Sequence, residues 1–189
     1  MKKKAIVLLG NKGKKYEYTR HNFGWLVGDL LSEKMDLFFR NEYTYSFAEK
    51  RIDEGFIYIV KPMTFMNLSG QPLKLFVKHK KIELENILVI CDDVDLDFGR
   101  MKMRPFGGTG GHNGLASIVR EVGTNQFPRL RLGIGRGKYG MVDHVLGTFS
   151  KPEKELLPSL LSKATDAIRD FFILDWQELM LKYNTKVSV

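Results

Sequence analysis

Short apolar runs and alternating stretches recur along the chain and predict its strands. Residues 5–9 and 87–90 are continuous apolar runs, as buried central strands require. Residues 43–51 and 56–61 alternate between apolar and polar, and the DEG triplet at 53–55 predicts a hairpin turn between them. The predicted strands are residues 5–9, 43–51, 56–61, 87–90, 101–104 and 130–134.

Amphipathic segments separate these strands and predict helices. The clearest is 153–172, whose apolar side chains form one stripe at helical spacing. Strands that alternate with helices indicate an α/β class, and we expect one domain over residues 1–189 with a mixed central β-sheet and helices on both faces. Ligands bind such sheets in the loops at strand ends. The predicted helices are residues 23–34, 70–78, 113–122, 153–172 and 175–183.

Composition and charge indicate the cellular compartment and the class of partner. The 189 residues carry a formal net charge of +8, which favours a nucleic-acid partner over a membrane surface, although a solubilising surface charge would give the same number. One cysteine, Cys91, excludes an intrachain disulfide and fits a reducing compartment. The apolar run after the N-terminal lysines is too short for a signal peptide or a membrane span. We therefore expect a cytoplasmic protein with no membrane partner.

Two loops carry candidates for acid–base chemistry. His21 lies between a polar loop and an apolar helix, where an imidazole could be a general base or only a helix cap. Asp92, Asp93 and Asp95 follow a buried strand, and one of them could orient His21. A divalent metal site and ordinary turn chemistry are the alternatives for these carboxylates.

Two further features suggest a polar binding groove. Asn11, Asn67 and Asn113 lie in three separate loops, where amides could bind an oxyanion or peptide groups, or serve only as turn residues. The loop at 107–114 holds five glycines before a helix, like a phosphate-binding loop, but it completes neither a dinucleotide fingerprint nor a Walker motif. A close approach of its backbone to a ligand or to another strand stays open.

The two candidate nucleophiles in the sequence are weak. Ser69 lacks the glycine of a nucleophile elbow, and Cys91 ends an apolar strand as an inert thiol would.

Basic residues are clustered on two predicted strands. Strand alternation gives them a common face, suited to phosphates or simply to solvent. They are Arg100, Lys102 and Arg104 in one strand and Arg129 and Arg131 in another.

Together these segments resemble the bacterial peptidyl-tRNA hydrolase family. The motifs stand in the order and spacing of that family from the first strand to about Phe149. They are GNxG at 10–13, Tyr16, TRHNxG at 19–24, KPxTFMNLSG at 61–70, DDxDL at 92–96, GGHNGL at 110–115, RLRxGIG at 129–135 and VLG at 145–147.

The resemblance implies a monomer without metal or cofactor that hydrolyses the ester between peptide and tRNA. It implies that His21 is the base and Asp92 its partner, and that Arg104 and Arg131 grip the tRNA 5′ phosphate. The family more often has lysine at position 104, proline at 12 and histidine at 91, and none of these departures touches the implied chemistry. The residues implied to bind peptide or ester are Asn11, Tyr16, Met66, Asn67 and Asn113.

Other functions remain open on the sequence. The first alternative is a non-catalytic tRNA- or RNA-binding module of the same fold; a small-ester hydrolase and a nucleotide-binding protein are the others. The role of His112 is not assigned. Nor is that of residues 142–151, for which a lid over the peptide groove is one interpretation.

Overall fold

The computed structural model describes residues 2–53, 55–138 and 140–184 and arranges seven strands in one sheet. Across the sheet the strands follow the order β2-β3-β4-β1-β5-β7-β6 when numbered along the chain. The four central strands are parallel, and antiparallel strands complete both edges. The strands are β1 (Lys2–Leu8), β2 (Arg40–Glu42), β3 (Tyr45–Ile52), β4 (Gly55–Pro62), β5 (Ile87–Asp93), β6 (Met101–Arg104) and β7 (Arg129–Gly133).

Among the described residues there are six α-helices, and five of them pack on the two faces of this sheet. Helices α1, α5 and α6 contribute side chains such as Val27, Ile168 and Leu179 to the hydrophobic cluster on one face. Helices α2 and α3 contribute Phe76 and Ile118 to the cluster on the other. The predicted α/β class, with a mixed sheet and helices on both faces, is confirmed. The helices are α1 (Phe23–Met35), α2 (Gly70–Lys80), α3 (Asn113–Val122), α4 (Met141–Leu146), α5 (Lys151–Phe171) and α6 (Trp176–Tyr183).

The central strand β1 shows why its sequence is continuously apolar. Side chains alternate across a strand, so Ile6 and Leu8 enter one cluster while Ala5 and Val7 enter the other. Neither face meets water, and no polar position can be tolerated between residues 5 and 8.

Every predicted element is present, and its bounds lie within three residues of the predicted ones. Strand β1 begins at Lys2 because its lysines pair with β4, with Lys2 opposite Gly55. Strand β2 and helix α4 were not predicted, because three and six residues are too few to show a period. Glu54 of the predicted hairpin turn lies outside the described residues.

The topology brings the polar loops that carry the candidate site residues to one edge of the sheet. The parallel strands β1, β4 and β5 end there, and the loops GNKG (10–13), TFMNLSG (64–70) and DDVDL (92–96) follow them. A main-chain hydrogen bond from Lys12 to the Thr64 oxygen, 3.1 Å long, joins the first two loops. Among the described residues, no helix combines the length and the apolar character that crossing a bilayer needs.

Candidate active site

The structure brings His21 and Asp92 into contact although they lie 71 positions apart. His21 occupies a 3₁₀ turn, Arg20–Asn22, directly before α1, and Asp92 lies near the end of β5. The Nδ1 atom of His21 is 2.9 Å from each carboxylate oxygen. The two residues are 7% and 3% exposed. Because Nδ1 faces the carboxylate, Nε2 is the nitrogen left for a reactant.

A second histidine, His112, contacts the same carboxylate. Its Nε2 atom lies 3.0 Å from Oδ1 of Asp92. Its Nδ1 atom accepts the main-chain N–H groups of Gly114 and Leu115, which caps the N-terminus of α3. A nitrogen that accepts two hydrogen bonds carries no hydrogen, so the geometry assigns the hydrogen to Nε2 and directs it at Asp92.

These contacts determine the charge of Asp92. Burial by itself would raise the pKa of this carboxyl. The electrostatic attraction and hydrogen bond of the His112 ring, followed by those of His21, outweigh burial and hold the pKa of Asp92 well below its usual range. Asp92 is therefore an anion that both rings share.

The carboxylates do not form the metal site that was an alternative on the sequence. Asp93 contacts Arg131 and Asp95 contacts Arg136, so the acids turn to different partners. The ligand atoms of His21, Asp92 and His112 do lie within 4.8 Å of one another. However, Nε2 of His112 would have to lose its hydrogen while Nδ1 stays committed to the cap of α3, so this donor set does not suit a metal ion.

Asparagine side chains connect the turn of His21 to two other loops. Asn22 is fully buried; its Oδ1 accepts the main-chain N–H of Asn11 at 2.8 Å, and its Nδ2 donates to the Asn11 oxygen at 3.0 Å. Oδ1 of Asn11 accepts the main-chain N–H of Met66 at 2.7 Å. Among the described residues Nδ2 of Asn11 has no partner, so this N–H donor is available to a ligand.

A pocket beside His21 is lined by several of the predicted site residues. His21, Asp92, Asn113 and Arg131 all line it, together with His112 and the glycines at 110 and 111. Four apolar residues also line the pocket, and three of them come from α4. We call them the apolar wall, which consists of Val94, Met141, Val142 and Val145.

The remaining predicted binding residues lie on neighbouring loops outside this pocket. Met66 is buried, with its Sδ against Gly114 at the start of α3. Asn67 is exposed on the same loop, and its main-chain oxygen accepts from Arg120 at 3.2 Å. Tyr16 packs edge-on against Phe65, with ring centroids 6.4 Å apart. These residues extend the site from the pocket along the 64–70 loop.

The predicted basic face divides into residues with different surroundings. Nε of Arg131 lies 2.8 Å from Oδ2 of Asp93, an ionic contact without hydrogen-bond alignment, at the edge of the pocket. Arg104 is exposed on the edge strand β6. Arg129, by contrast, is 1% exposed, and its guanidinium donates to main-chain oxygens that include those of Gly107 and Gly108. Arg129 therefore does not belong to the basic face that strand alternation suggested, whether for phosphate or for solvent.

The glycine-rich loop is not a phosphate cradle either. Its carbonyls at 107 and 108 point at Arg129, and the first N–H groups of α3 are taken by His112. At Gly110, which has φ of +58°, a Cβ would lie 2.6 Å from Nη2 of Arg131. A Cβ at Gly107 or Gly108 would meet nothing within 4 Å, so the loop uses glycine mainly for the positive φ of Gly107, Gly110 and Gly111 rather than for a close approach to a ligand or strand.

The weak nucleophile candidates are confirmed as structural. The Ser69 hydroxyl is buried and donates to the Met66 oxygen at 2.9 Å. Cys91 is buried, and its burial raises the pKa of the thiol far above the usual range. Neither group is available as a nucleophile.

The chain is similar to known proteins in sequence and in fold. The family model described as peptidyl-tRNA hydrolase matches residues 5–189. The chain belongs to the peptidyl-tRNA hydrolase family. The resemblance noted on the sequence and the assignment to a family of enzymes are thus confirmed.

Individual relatives of this peptidyl-tRNA hydrolase family member match over nearly their whole length. A peptidyl-tRNA hydrolase of Clostridium perfringens is 41% identical over 180 residues, covering 95% of this chain and 96% of the relative. One from an Exiguobacterium species is 42% identical over 184 residues, covering 96% and 100%. The crystal structure of peptidyl-tRNA hydrolase from Acinetobacter baumannii superposes with a TM-score of 0.89 at 33% identity, covering 97% of this chain and 95% of the other.

Sequence reasoning missed two parts of the site. His112 received no role, although its position immediately before a predicted helix start is a capping signal. The apolar wall from α4 was also missed, since a six-residue helix after a glycine-containing loop has no periodicity to detect.

Proposed function

We propose that this chain hydrolyses the ester bond between peptide and tRNA in peptidyl-tRNA, with His21 as general base and Asp92 as its partner. The observation that carries the proposal is the contact of Nδ1 of His21 with a buried, ionised Asp92, which leaves Nε2 to face the pocket. An imidazole held in this tautomer can remove a proton from water near neutral pH.

The reaction needs no covalent nucleophile. An alkoxide leaves an ester more readily than an amine leaves an amide, so water activated by Nε2 of His21 is sufficient. Asp92 keeps the hydrogen on Nδ1 and stabilises the imidazolium that forms when the proton is taken. The imidazolium then returns a proton to the departing ribose oxygen.

Amide groups supply the polar contacts to the peptide and to the oxyanion. Asn113 lines the pocket with His21, and its exposed side chain has no hydrogen-bond partner among the described residues, so it suits the water or the oxyanion. Nδ2 of Asn11 and the exposed amide of Asn67 suit backbone carbonyls of the peptide. Met66 and Tyr16 add apolar surface beside them.

The phosphates of the tRNA bind to the basic strands. Arg131 on β7 borders the pocket and Arg104 is exposed on the adjacent edge strand, so both suit the 5′ end of the acceptor stem. Every group in this scheme comes from one chain, so a monomer suffices. The substrate arises during translation, which places the enzyme in the cytoplasm.

The decisive experiment compares hydrolysis of N-acetyl-aminoacyl-tRNA by the wild type and by His21→Ala. A positioned base contributes about 10²–10⁴-fold, so kcat of the variant should fall by that factor. Affinity for deacylated tRNA, measured in parallel, should stay close to that of the wild type. An inactive wild type that still binds tRNA would instead indicate a non-catalytic tRNA-binding module, and equal losses of binding and turnover would contradict the role of His21.

A further inference from the structure

Arg20 immediately precedes His21, and its side chain bonds two segments that are distant in sequence. Its Nε and Nη2 atoms donate to the two carboxylate oxygens of Glu153, at 3.1 and 2.7 Å. Its Nη1 atom donates to the main-chain oxygen of His144, at 3.2 Å. The guanidinium thus joins the turn of His21 to the first turn of α5 and the last turn of α4.

The main chain of the same turn is attached to the connection between α4 and α5. The N–H of Arg20 donates to the oxygen of Gly147 at 3.0 Å, and Thr19 forms an antiparallel bridge with Thr148. Main-chain and side-chain contacts therefore hold residues 19–20 and 144–153 together over a short distance. We call this set of contacts the Arg20 joint.

Charge and burial make the Arg20 joint stiff. The side chains of Arg20 and Glu153 are 11% and 14% exposed, so solvent screens their attraction little. Burial alone would raise the pKa of Glu153, but the bonds from Arg20 and from Ser150 outweigh it and lower the pKa. A two-pronged contact between guanidinium and carboxylate also fixes orientation, which a single ammonium group cannot do.

The joint links the turn of the proposed base to the helix that supplies most of the apolar wall of the pocket. His21 follows Arg20 directly, and α4, held through His144, supplies Met141, Val142 and Val145 to the pocket. The guanidinium therefore adds a side-chain link to the main-chain bonds at Gly147 and Thr148, and together they hold the turn of His21 against α4. No other described side chain bonds both the 3₁₀ turn of His21 and α4.

We propose that Arg20 is a positioning residue for the hydrolysis, since it holds α4 at a set distance from Nε2 of His21. This inference rests on the proposed function. It predicts a loss in kcat rather than in KM, because the proposed phosphate contacts on β6 and β7 do not involve Arg20. Misplacement of a reacting group by 1 Å can lower a rate about 10²-fold, and we expect a loss of that order.

The test measures kcat, KM and melting temperature for Arg20→Ala, Arg20→Lys and Glu153→Gln on N-acetyl-aminoacyl-tRNA. Arg20→Ala should lose about 10²-fold in kcat with a much smaller change in KM. Arg20→Lys keeps the charge and should recover part of the loss. Lys34→Ala is the matched control: Lys34 bonds Ser162 and Thr165 of α5 at 3.1 and 2.9 Å, away from the pocket, so this variant should lose stability and keep kcat.

Wild-type kcat in Arg20→Ala would overturn the proposal. So would losses of kcat that follow melting temperature equally in the Arg20 and Lys34 variants, because a purely structural role predicts that pattern. If Arg20→Ala does not fold, Arg20→Lys and Glu153→Gln provide the same comparison. A wild type that releases no tRNA would remove the proposed function and this inference together, whereas an active wild type with unaffected Arg20 variants removes only the inference.

Discussion

Hydrogen positions at three residues decide what His21 can do. Nδ1 of His112 accepts hydrogen bonds, so its Nε2–H must point at Asp92. The carboxylate then accepts hydrogen bonds from both rings, and His21 carries its hydrogen on Nδ1 with a free lone pair on Nε2. The hydrogen bonds that cap α3 thus fix the His112 ring, and His112 in turn contacts the carboxylate that sets the tautomer of the proposed base.

This chain of contacts makes Asp92→Asn an informative change. Nε2–H of His112 holds the amide oxygen at the position of Oδ1, so the new NH₂ group takes the position of Oδ2, also 2.9 Å from Nδ1 of His21. A donor at that position favours the tautomer with the hydrogen on Nε2. A base in the wrong tautomer lowers kcat by about 10⁴-fold in comparable triads, and we expect about 10³–10⁴-fold here. Asp95→Asn, at the same strand exit but in contact with neither histidine, is the control. A nearly active Asp92→Asn enzyme would contradict the tautomer argument.

The ionisation of Asp92 also predicts how stability depends on pH. Its pKa is lowered in the folded state, so its contribution is fully present above the unfolded value, about 4, and is lost as pH falls toward the lower folded value. The difference in unfolding free energy between wild type and Asp92→Asn should therefore shrink as pH falls below about 4. Urea unfolding over a pH series measures it, and a constant difference would count against the assignment.

At the scale of elements, close backbone contacts place the site. A Cβ at Gly24 would lie 2.7 Å from the Leu9 oxygen and 2.8 Å from the Ile90 oxygen, so the first turn of α1 rests on the ends of β1 and β5. His21 precedes that turn and is thereby held above the end of β5, where Asp92 lies. A larger residue at Gly24 would displace α1 and the base with it.

Helix α3 offers a prediction that separates capping from catalysis. His112→Ala removes the cap and should lower the free energy of unfolding by about 1 kcal/mol, along with kcat. His112→Asn restores a good N-cap residue whose side chain is too short to reach Asp92 while it caps. Its stability should recover while kcat stays low; recovery of both would show that His112 serves only as a cap. Chemical denaturation and turnover measure the two effects.

At the scale of the whole molecule, only some of the cations that give the net charge of +8 are placed to contact phosphate. On β6 and β7, the guanidinium of Arg129 donates to main-chain oxygens and is not free for phosphate. Arg104 is exposed, and Arg131 has an ionic contact with Asp93 that lacks hydrogen-bond alignment. In the proposed function the long-range field would attract tRNA, but only cations that reach the surface can contact phosphate.

Salt dependence tests this distinction. Replacing Arg104 and Arg131 together with Ala should weaken substrate binding and flatten the log–log salt slope by about one unit per lost contact. Replacing Lys78 on α2 and Lys154 on α5 with Ala removes the same charge outside the basic strands and should leave the slope nearly unchanged. An equal effect of the two pairs would mean that net charge alone attracts the tRNA.

Local pattern was sufficient for most of the fold. Residues Met101–Arg104 and Asn113–Val122 have the predicted bounds, because strand and helix periods are local properties of side chains that meet one core face. The candidate residues His21, Asp92 and Asn113 could be selected by type, since a base, a carboxylate and an amide are recognisable without coordinates. Short elements such as α4 could not be predicted because six residues are too few to show a helical period.

The sequence by itself determined the α/β class, the family and the types of group available at the strand ends. The residues by themselves left open which acid meets His21, and the contact with Asp92 that the family resemblance implied is a property of the tertiary structure. Only the tertiary structure decided that Arg129 is buried under the glycine loop and that His112 shares the carboxylate. The reason is physical: these outcomes depend on which oxygen lies within about 3 Å of which nitrogen. Such distances join residues 20 or more positions apart and follow from the packing of α1, α3 and β5, which no local pattern encodes.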